Sequence, residues 1–464
     1  MFFKRSLKFQ ALIVTVLLST LAYAPVQAAT AKSSSSMNFA TRTALDNSLK
    51  RMVGNGALQV PGLGVVVYKN GQQVYSKFLG NRYINAHNPS ITKPVTGDTR
   101  FRVASVSKHF TAYSILQLVD QGKINLDADA SRYLGFTLRN PNYPQTPITV
   151  RMLLDHTSSL RDGDDYSLAP NHNIKEFFYP GGVRYEGGDH FAPKGQAPGH
   201  YFDYCNLNYG VLGTIIERVT GQRFDLYQKN HILKQLGTDA DYVPANLKPN
   251  AFANLGTIYR KRANGVWNPS GPWVAQSDSF NYQPPKDMLK MGDNWYNLSG
   301  YKVGTNGAAF SPQGALRISY NELAHDLEML INGGRYKGQQ ILKPATFNEM
   351  IRPQWTYNGS SKNGDTYNGT ILSYGLGLYQ IDGNSSAKVC RTHDIDLIGH
   401  TGEAYGLLSG IFWRPGTKDG FLYIMNGEAA PEDTPTTSGR FSGNYVWEEN
   451  VMHAICEYAF FDGK

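Results

Sequence analysis

Strand-forming sequence lies at both ends of this chain and helix-forming sequence lies between them, which leaves few folds open. Near the N-terminus, residues 63–68 and 73–78 are rich in β-branched and aromatic side chains and flank Asn70-Gly71. Such a dipeptide between two such runs predicts a hairpin, because both turn residues must take positive φ. Strand patterns return at residues 372–381, 396–400, 406–413 and 420–425. An α/β lobe assembled from both chain ends (residues 41–100 and 300–464), with a mainly helical lobe (101–299) inserted, is the expected arrangement. A pocket between two such lobes is the default site.

The helical signals are strongest over residues 106–120 and 207–219, stopped by Gly122 and Gly221. Shorter helical patterns cover 41–53, 150–154, 321–330 and 447–460. Residues 163–200 carry Gly, Pro, His and aromatics without periodicity and read as a long surface insertion. Residues 245–300 read as loop. The 464 residues would make two or three domains at roughly 100–200 residues each, or one large one with insertions.

The first 28 residues have their own pattern. Lys4, Arg5 and Lys8 precede an apolar run from Ala11 to Ala24, and small residues lead to Ala28. This is the pattern of a secretory signal peptide cleaved after Ala28. The run falls short of the ~20 residues of a membrane span. Residues 29–40 read as a flexible tail, and the mature protein is expected to be periplasmic or secreted, without a stable membrane anchor. Removing three positive charges and no acid takes the net charge from +8 to +5. That surplus is spread along the chain, so nucleic-acid binding has little support. Export permits a disulfide. Cys390 and Cys456 are the candidate pair, because Cys205 sits within a motif; sequence alone leaves the bond open.

Several chemistries lack their signatures: there is no G-x-S-x-G elbow, H-E-x-x-H helix, phosphate-binding loop or G-x-G-x-x-G turn. No metal or cofactor is expected. What stands out is Ser105-Val106-Ser107-Lys108 at the start of a strong helix. Residues three apart share a helix face, and a lysine whose pKa is lowered by burial can take a serine proton. The tetrapeptide alone would equally serve as an N-cap serine followed by a solvated lysine. Ser299-x-x-Lys302 and Ser385-x-x-Lys388 show the same spacing but open no helix. A second element is Tyr204-Cys205-Asn206, just before the helix at 207. A third is Gly399-His400-Thr401-Gly402, in a strand pattern where glycine permits a backbone N–H to approach a developing oxyanion.

Taken in order and context, the three elements resemble the serine β-lactamase and penicillin-binding-protein superfamily. The likeness is greatest to its class C-like branch, with D-alanyl-D-alanine carboxypeptidases, D-aminopeptidases and esterases. Flanking phrases agree: Phe101-Arg102-Val103-Ala104 before the serine, and residues 153–160, LLDHTSSL, beside that branch's LLTHTSGL. The resemblance covers roughly residues 40–460 and implies a β-lactamase-like α/β (α+β) fold, an antiparallel sheet flanked by terminal helices with the helical lobe inserted.

The resemblance also implies roles. Ser105 would form the acyl-enzyme, Lys108 and Tyr204 would share the proton traffic, and Asn206, His400, Thr401 and Gly402 would bind substrate. The backbone N–H groups of Ser105 and Glu403 would form the oxyanion hole. His400 stands where most β-lactamases carry lysine. Near an ordinary pKa of about 6.5 it attracts a substrate carboxylate weakly, which lowers the β-lactamase reading. The expected activity is that of an exported serine hydrolase on D-amino-acid peptide or ester bonds of the cell envelope, first a DD-carboxypeptidase. A D-alanyl or small-acyl esterase comes next, then a β-lactamase. A penicillin-binding sensor or scaffold is the non-enzymatic alternative. The side chain of Glu403, if it faces the pocket, would favour a substrate amine.

Overall fold

A computed structural model describes residues 37–85, 88–430 and 439–463. The expected signal peptide, and the tail up to residue 36, lie outside the described residues. The expected tail ends earlier than residue 40: Asn38 caps a helix, α1 (Phe39–Arg51), by accepting from the Thr41 N–H at 2.9 Å.

The hairpin forms as its turn dipeptide requires. Strands β1 (Gly62–Lys69) and β2 (Gln72–Tyr83) pair antiparallel, with Asn70 and Gly71 at φ 53° and 77°. They join a nine-stranded sheet with β3 (Lys93–Pro94), β4 (Trp355–Thr356), β5 (Ser373–Tyr374), β6 (Tyr379–Ile381), β7 (Leu397–Ala404), β8 (Leu407–Trp413) and β9 (Gly420–Met425). Its order is β4-β5-β6-β7-β8-β9-β1-β2-β3. The chain ends meet at the β1–β9 pairing, which aligns Leu63 with Met425 and Val67 with Phe421.

Central strands are apolar on both sides, and alternation sorts their side chains between two cores. Leu63, Val65 and Val67 face one core with Tyr423, Met425 and α1 residues Leu45 and Leu49, closed by helix Val446–Ile455. Val66, Leu422 and Ile424 face the other core with helices α2 (Ser107–Asp120), α3 (Leu207–Thr220) and α4 (Tyr320–Ile331). The second core runs on through the inserted helices, so the two expected lobes share one interior. Helix α2 is buried on every side from Ser107 to Leu118. Half of those buried residues are polar, and buried polar groups need internal partners. His109 and Tyr113 find theirs on Asp326, at 2.8 and 2.9 Å.

The two expected loop regions differ from the sequence reading. Residues 245–300 hold strands Ile258–Ala263, Val266–Trp267, Trp273–Ser277, Met288–Met291 and Asn294–Asn297. Asn264 and Gly265, at φ 51° and 77°, make a second Asn-Gly hairpin between the first two. Residues 163–200 are irregular as expected but not confined to the surface. Ile174, Phe177 and Ala192 are buried, and the Ala192 carbonyl accepts from Asn140 and Asn142 at 2.9 and 3.1 Å. Cys390 and Cys456 are joined as a disulfide, and Cys205 is a buried free thiol.

Candidate active site

Ser105 sits in a single 3-10 turn, Ala104–Val106, that leads into α2. Ala104 takes φ 46°, a strained value for a side-chain-bearing residue. One turn on, Lys108 is wholly buried. Its Nζ donates to Ser105 Oγ at 2.9 Å, to Asn206 Oδ1 at 2.7 Å and to the Gln313 carbonyl at 3.3 Å. Burial lowers its pKa to about 7, outweighing the opposite pull of Asp162. The amine is thus poised to exist neutral near neutral pH.

Tyr204 and Asn206 come from the segment entering α3. The Asn206 amide donates to Asp162 Oδ2 at 2.9 Å, and the Leu207 N–H donates to Asp162 Oδ1 at the same distance. Asp162 therefore fixes both the helix end and the face that Asn206 turns to Lys108. The Tyr204 ring covers the Lys108 ammonium at 4.6 Å and stacks on His156 at 4.3 Å. His156 Nδ1 accepts from the Cys205 N–H at 3.0 Å, and burial with Lys108 nearby holds the imidazole neutral, its pKa well below the usual range. Burial raises the Tyr204 phenol well above its usual range, against a hydrogen bond with Ser105 that works the other way.

β7 supplies the opposite wall. His400 is buried and held neutral, chiefly by desolvation and then by Lys108. Its Nδ1 contacts the Thr401 carbonyl, so Nε2 is the acceptor, facing the Tyr374 hydroxyl at 3.0 Å and the Tyr204 hydroxyl at 3.4 Å. Thr401 accepts from the Tyr379 hydroxyl at 3.1 Å. At Gly402 the strand passes so near the nucleophile turn that an added Cβ would lie 2.5 Å from the Val103 carbonyl and 3.0 Å from Ser105 N. Ser409 on β8 ties the same Val103 carbonyl at 2.9 Å. Only glycine allows this approach, which brings the Gly402 backbone beside that of Ser105. The Glu403 side chain is exposed and pairs with Arg260 at 3.0 Å, so the structure does not present its carboxylate as an open partner for a substrate amine.

These groups open onto one cavity of about 300 Å³, lined by Ser105, Tyr204, Asn206, His400, Thr401 and Glu403 among others. Every residue singled out in the sequence lies in or against it except Lys108 and Gly402, which stand directly behind its wall. Asp162, His156, Tyr374 and Gln313 were not singled out. Of these only His156 lay in a recognisable phrase. The S-x-x-K sites at Ser299 and Ser385 lie in a 3-10 turn and a polar turn. Among the described residues, the groups that could hold a metal ion are Cys390 with His393 and Cys456, and Cys390 with His453 and Glu457, all around the disulfide and none in this cavity.

Such a cavity can support acyl transfer: a nucleophile, a base of suitable pKa and converging backbone donors. Protein flp of Staphylococcus aureus (strain N315) is 31% identical over 180 residues, 38% of this chain and 34% of flp. Esterase EstB of Burkholderia gladioli is 30% identical over 215 residues, 44% of this chain and 50% of EstB. The chain thus spans between a third and a half of these curated relatives. In fold, it resembles the D-amino acid amidase of Ochrobactrum anthropi SV3, with a TM-score of 0.62 at 19% identity, covering 92% of this chain and 100% of the amidase. The Beta-lactamase family profile matches residues 45–440, so the chain belongs to the Beta-lactamase family, with that family's α+β fold.

Proposed function

We propose that this protein is an acyl-enzyme serine hydrolase whose substrates are carboxylic esters and D-amino-acid amides. The reading rests on one observation, a buried Lys108 amine with pKa near 7 placed 2.9 Å from Ser105 Oγ. Neutral Lys108 takes the hydroxyl proton as Ser105 Oγ attacks the carbonyl carbon, and the oxyanion is met by the N–H groups of Ser105 and Glu403. The tetrahedral species collapses with loss of the alcohol or amine, which leaves with a proton from Tyr204. Water then adds to the acyl-serine, giving its proton to Tyr204, and the acid departs as Lys108 returns its proton to Ser105 Oγ.

EstB and the D-amino acid amidase support the ester and amide classes by name. The DD-carboxypeptidase expected from sequence needs a cation for the terminal carboxylate, and at position 400 a neutral histidine does not supply one, so that activity requires a cation elsewhere on the cavity wall. Export, and a substrate in the cell envelope, remain part of this proposal through the N-terminal pattern alone. The test is a panel of p-nitrophenyl acetate, a D-alanyl ester, a D-phenylalanine amide, a D-Ala-D-Ala peptide and nitrocefin. Ester and amide turnover is expected, with a loss of at least about a thousandfold in Ser105→Ala. Equal turnover by Ser105→Ala would refute the mechanism, and an acyl adduct that never turns over would select the sensor.

A further inference from the structure

Pocket walls that lack a cation at His400 raise the question of where an anionic substrate group would go. Among the described residues lining the catalytic cavity, Arg102 is the one arginine or lysine. Its Nε donates to the Gly314 carbonyl at 2.8 Å, and its guanidinium lies over the Tyr405 ring at 5.0 Å. No carboxylate among the described residues lies within ion-pair distance of it. Nearby arginines are spoken for: Arg260 pairs with Glu403, Arg317 with Asp278 and Arg184 with Asp165. A half-buried guanidinium with spare N–H groups, facing a cavity, is the geometry that receives a carboxylate.

Arg102 also lines a second, larger cavity of about 440 Å³. The two cavities meet at this residue, and their walls run on from one to the other at three places in the chain. Tyr166, Gly314 and Ala404 line the catalytic side, and their successors Ser167, Ala315 and Tyr405 line the far side. The far walls mix aromatic and polar groups: Tyr242, Phe280 and Trp295 stand beside Ser279, Lys290 and Asn294. A wall of mixed polarity with a cation at its entrance suits a substrate arm that is anionic near the reacting carbonyl and carries both apolar and hydrogen-bonding groups beyond it.

We propose that Arg102 is the carboxylate anchor of this enzyme, and that the cavity beyond it houses the remainder of the same substrate arm. This rests on the hydrolase reading above and narrows it to esters and amides with a carboxylate-bearing arm. Arg102 acts here as a specificity residue, and its loss changes the choice among substrates.

The test compares two p-nitrophenyl glutarates, one with its far carboxyl free and one with it capped as a methyl ester. With each rate corrected for spontaneous hydrolysis, wild-type kcat/KM is expected to favour the anionic ester at least tenfold at low salt. The ratio falls towards one in Arg102→Gln and is partly kept in Arg102→Lys, which retains the charge. A wild-type ratio near one, or a preference untouched by Arg102→Gln, overturns the proposal. Calorimetry on Ser105→Ala reads the anchor without turnover: monomethyl glutarate is expected to bind at least tenfold more tightly than dimethyl glutarate, and to lose that advantage when Arg102→Gln is added. If neither ester is hydrolysed while this binding difference persists, the hydrolase reading fails and the anchor stands; if the binding difference is missing, the anchor fails.

Discussion

The two walls of the catalytic cavity are built on different principles. The wall of Ser105, Lys108, Tyr204 and Asn206 is a network of side chains in which each functional group has a named partner. The wall of β7 works through shape and backbone. Gly402 lies where a side chain would not fit, the Glu403 carboxylate pairs with Arg260, and His400 is a neutral acceptor. Residue identity therefore controls chemistry on the first wall, and size and hydrogen-bond polarity control it on the second. Position 400 on this wall thus calls for an acceptor, which a neutral histidine supplies.

If the first wall depends on one amine, Lys108→Met is its severest test after loss of the nucleophile. Methionine fills similar volume without a base, so kcat/KM should fall by about 10²–10⁴. A thermal melt checks the fold. Removing a buried amine spares its desolvation cost, so a melt close to wild type is expected despite the unpartnered Asn206 oxygen. Retention of more than a tenth of the activity would move the base from Lys108 to Tyr204.

The second wall is probed by Gly402→Ala, which changes no charge and no hydrogen-bonding group. A Cβ there meets the Val103 carbonyl, Ser409 Oγ and Ser105 N, so strand and nucleophile turn must part. Loss of an aligned oxyanion donor predicts a fall of about 10²–10³ in kcat, and overpacking predicts a stability loss of about 1–3 kcal/mol. A fall confined to KM would show that the approach serves substrate binding and not the oxyanion.

The pH dependence separates the walls without mutation. Lys108 must be neutral to act, and its pKa lies near 7 against an ordinary 10.5. Below pH 7, kcat/KM should drop about tenfold per unit, and above it should level off. The same shift makes the unfolded chain hold a proton that the native state has shed between pH 7 and 10.5, so this group's contribution to stability rises with pH across that window. His400, neutral throughout, adds no limb near 6.5. A profile flat from pH 6 to 8 would contradict the assignment of Lys108.

How much of this was legible in the sequence follows the same division. Ser105, Lys108, Tyr204 and Asn206, which the structure brings together, were singled out by order and by context before a helix. The supporting groups were not. Asp162 follows the recognisable phrase by two residues, and its role depends on α3 folding back to it across 44 positions. Tyr374 meets His400 only through strand pairing that brings β5, β6 and β7 together. The sheet was legible at both ends because Asn-Gly and the long apolar runs are local signals. Residues 245–300 hid theirs in strands as short as two residues, although Asn264-Gly265 announced a turn as plainly as Asn70-Gly71 did. Arg102 stood in a recognised phrase, but its place between two cavities is a tertiary fact.

The smallest effect bears most directly on what a neutral histidine does on the second wall. In His400→Gln the side-chain amide oxygen can take over the acceptor position facing Tyr374 and Tyr204, whereas His400→Phe leaves both hydroxyls without it. A buried hydroxyl left unpaired costs about 1–3 kcal/mol, so the phenylalanine variant should lose stability by that amount and activity by about tenfold. The glutamine variant should stay within about threefold of wild type, because a lost neutral hydrogen bond is worth about 1 kcal/mol and here it is replaced. Were His400 a cation for the substrate, both variants would lose the anionic glutarate ester equally and spare the neutral one. The order Gln above Phe on both esters is the signature of an acceptor, and the charge preference should then move only with Arg102.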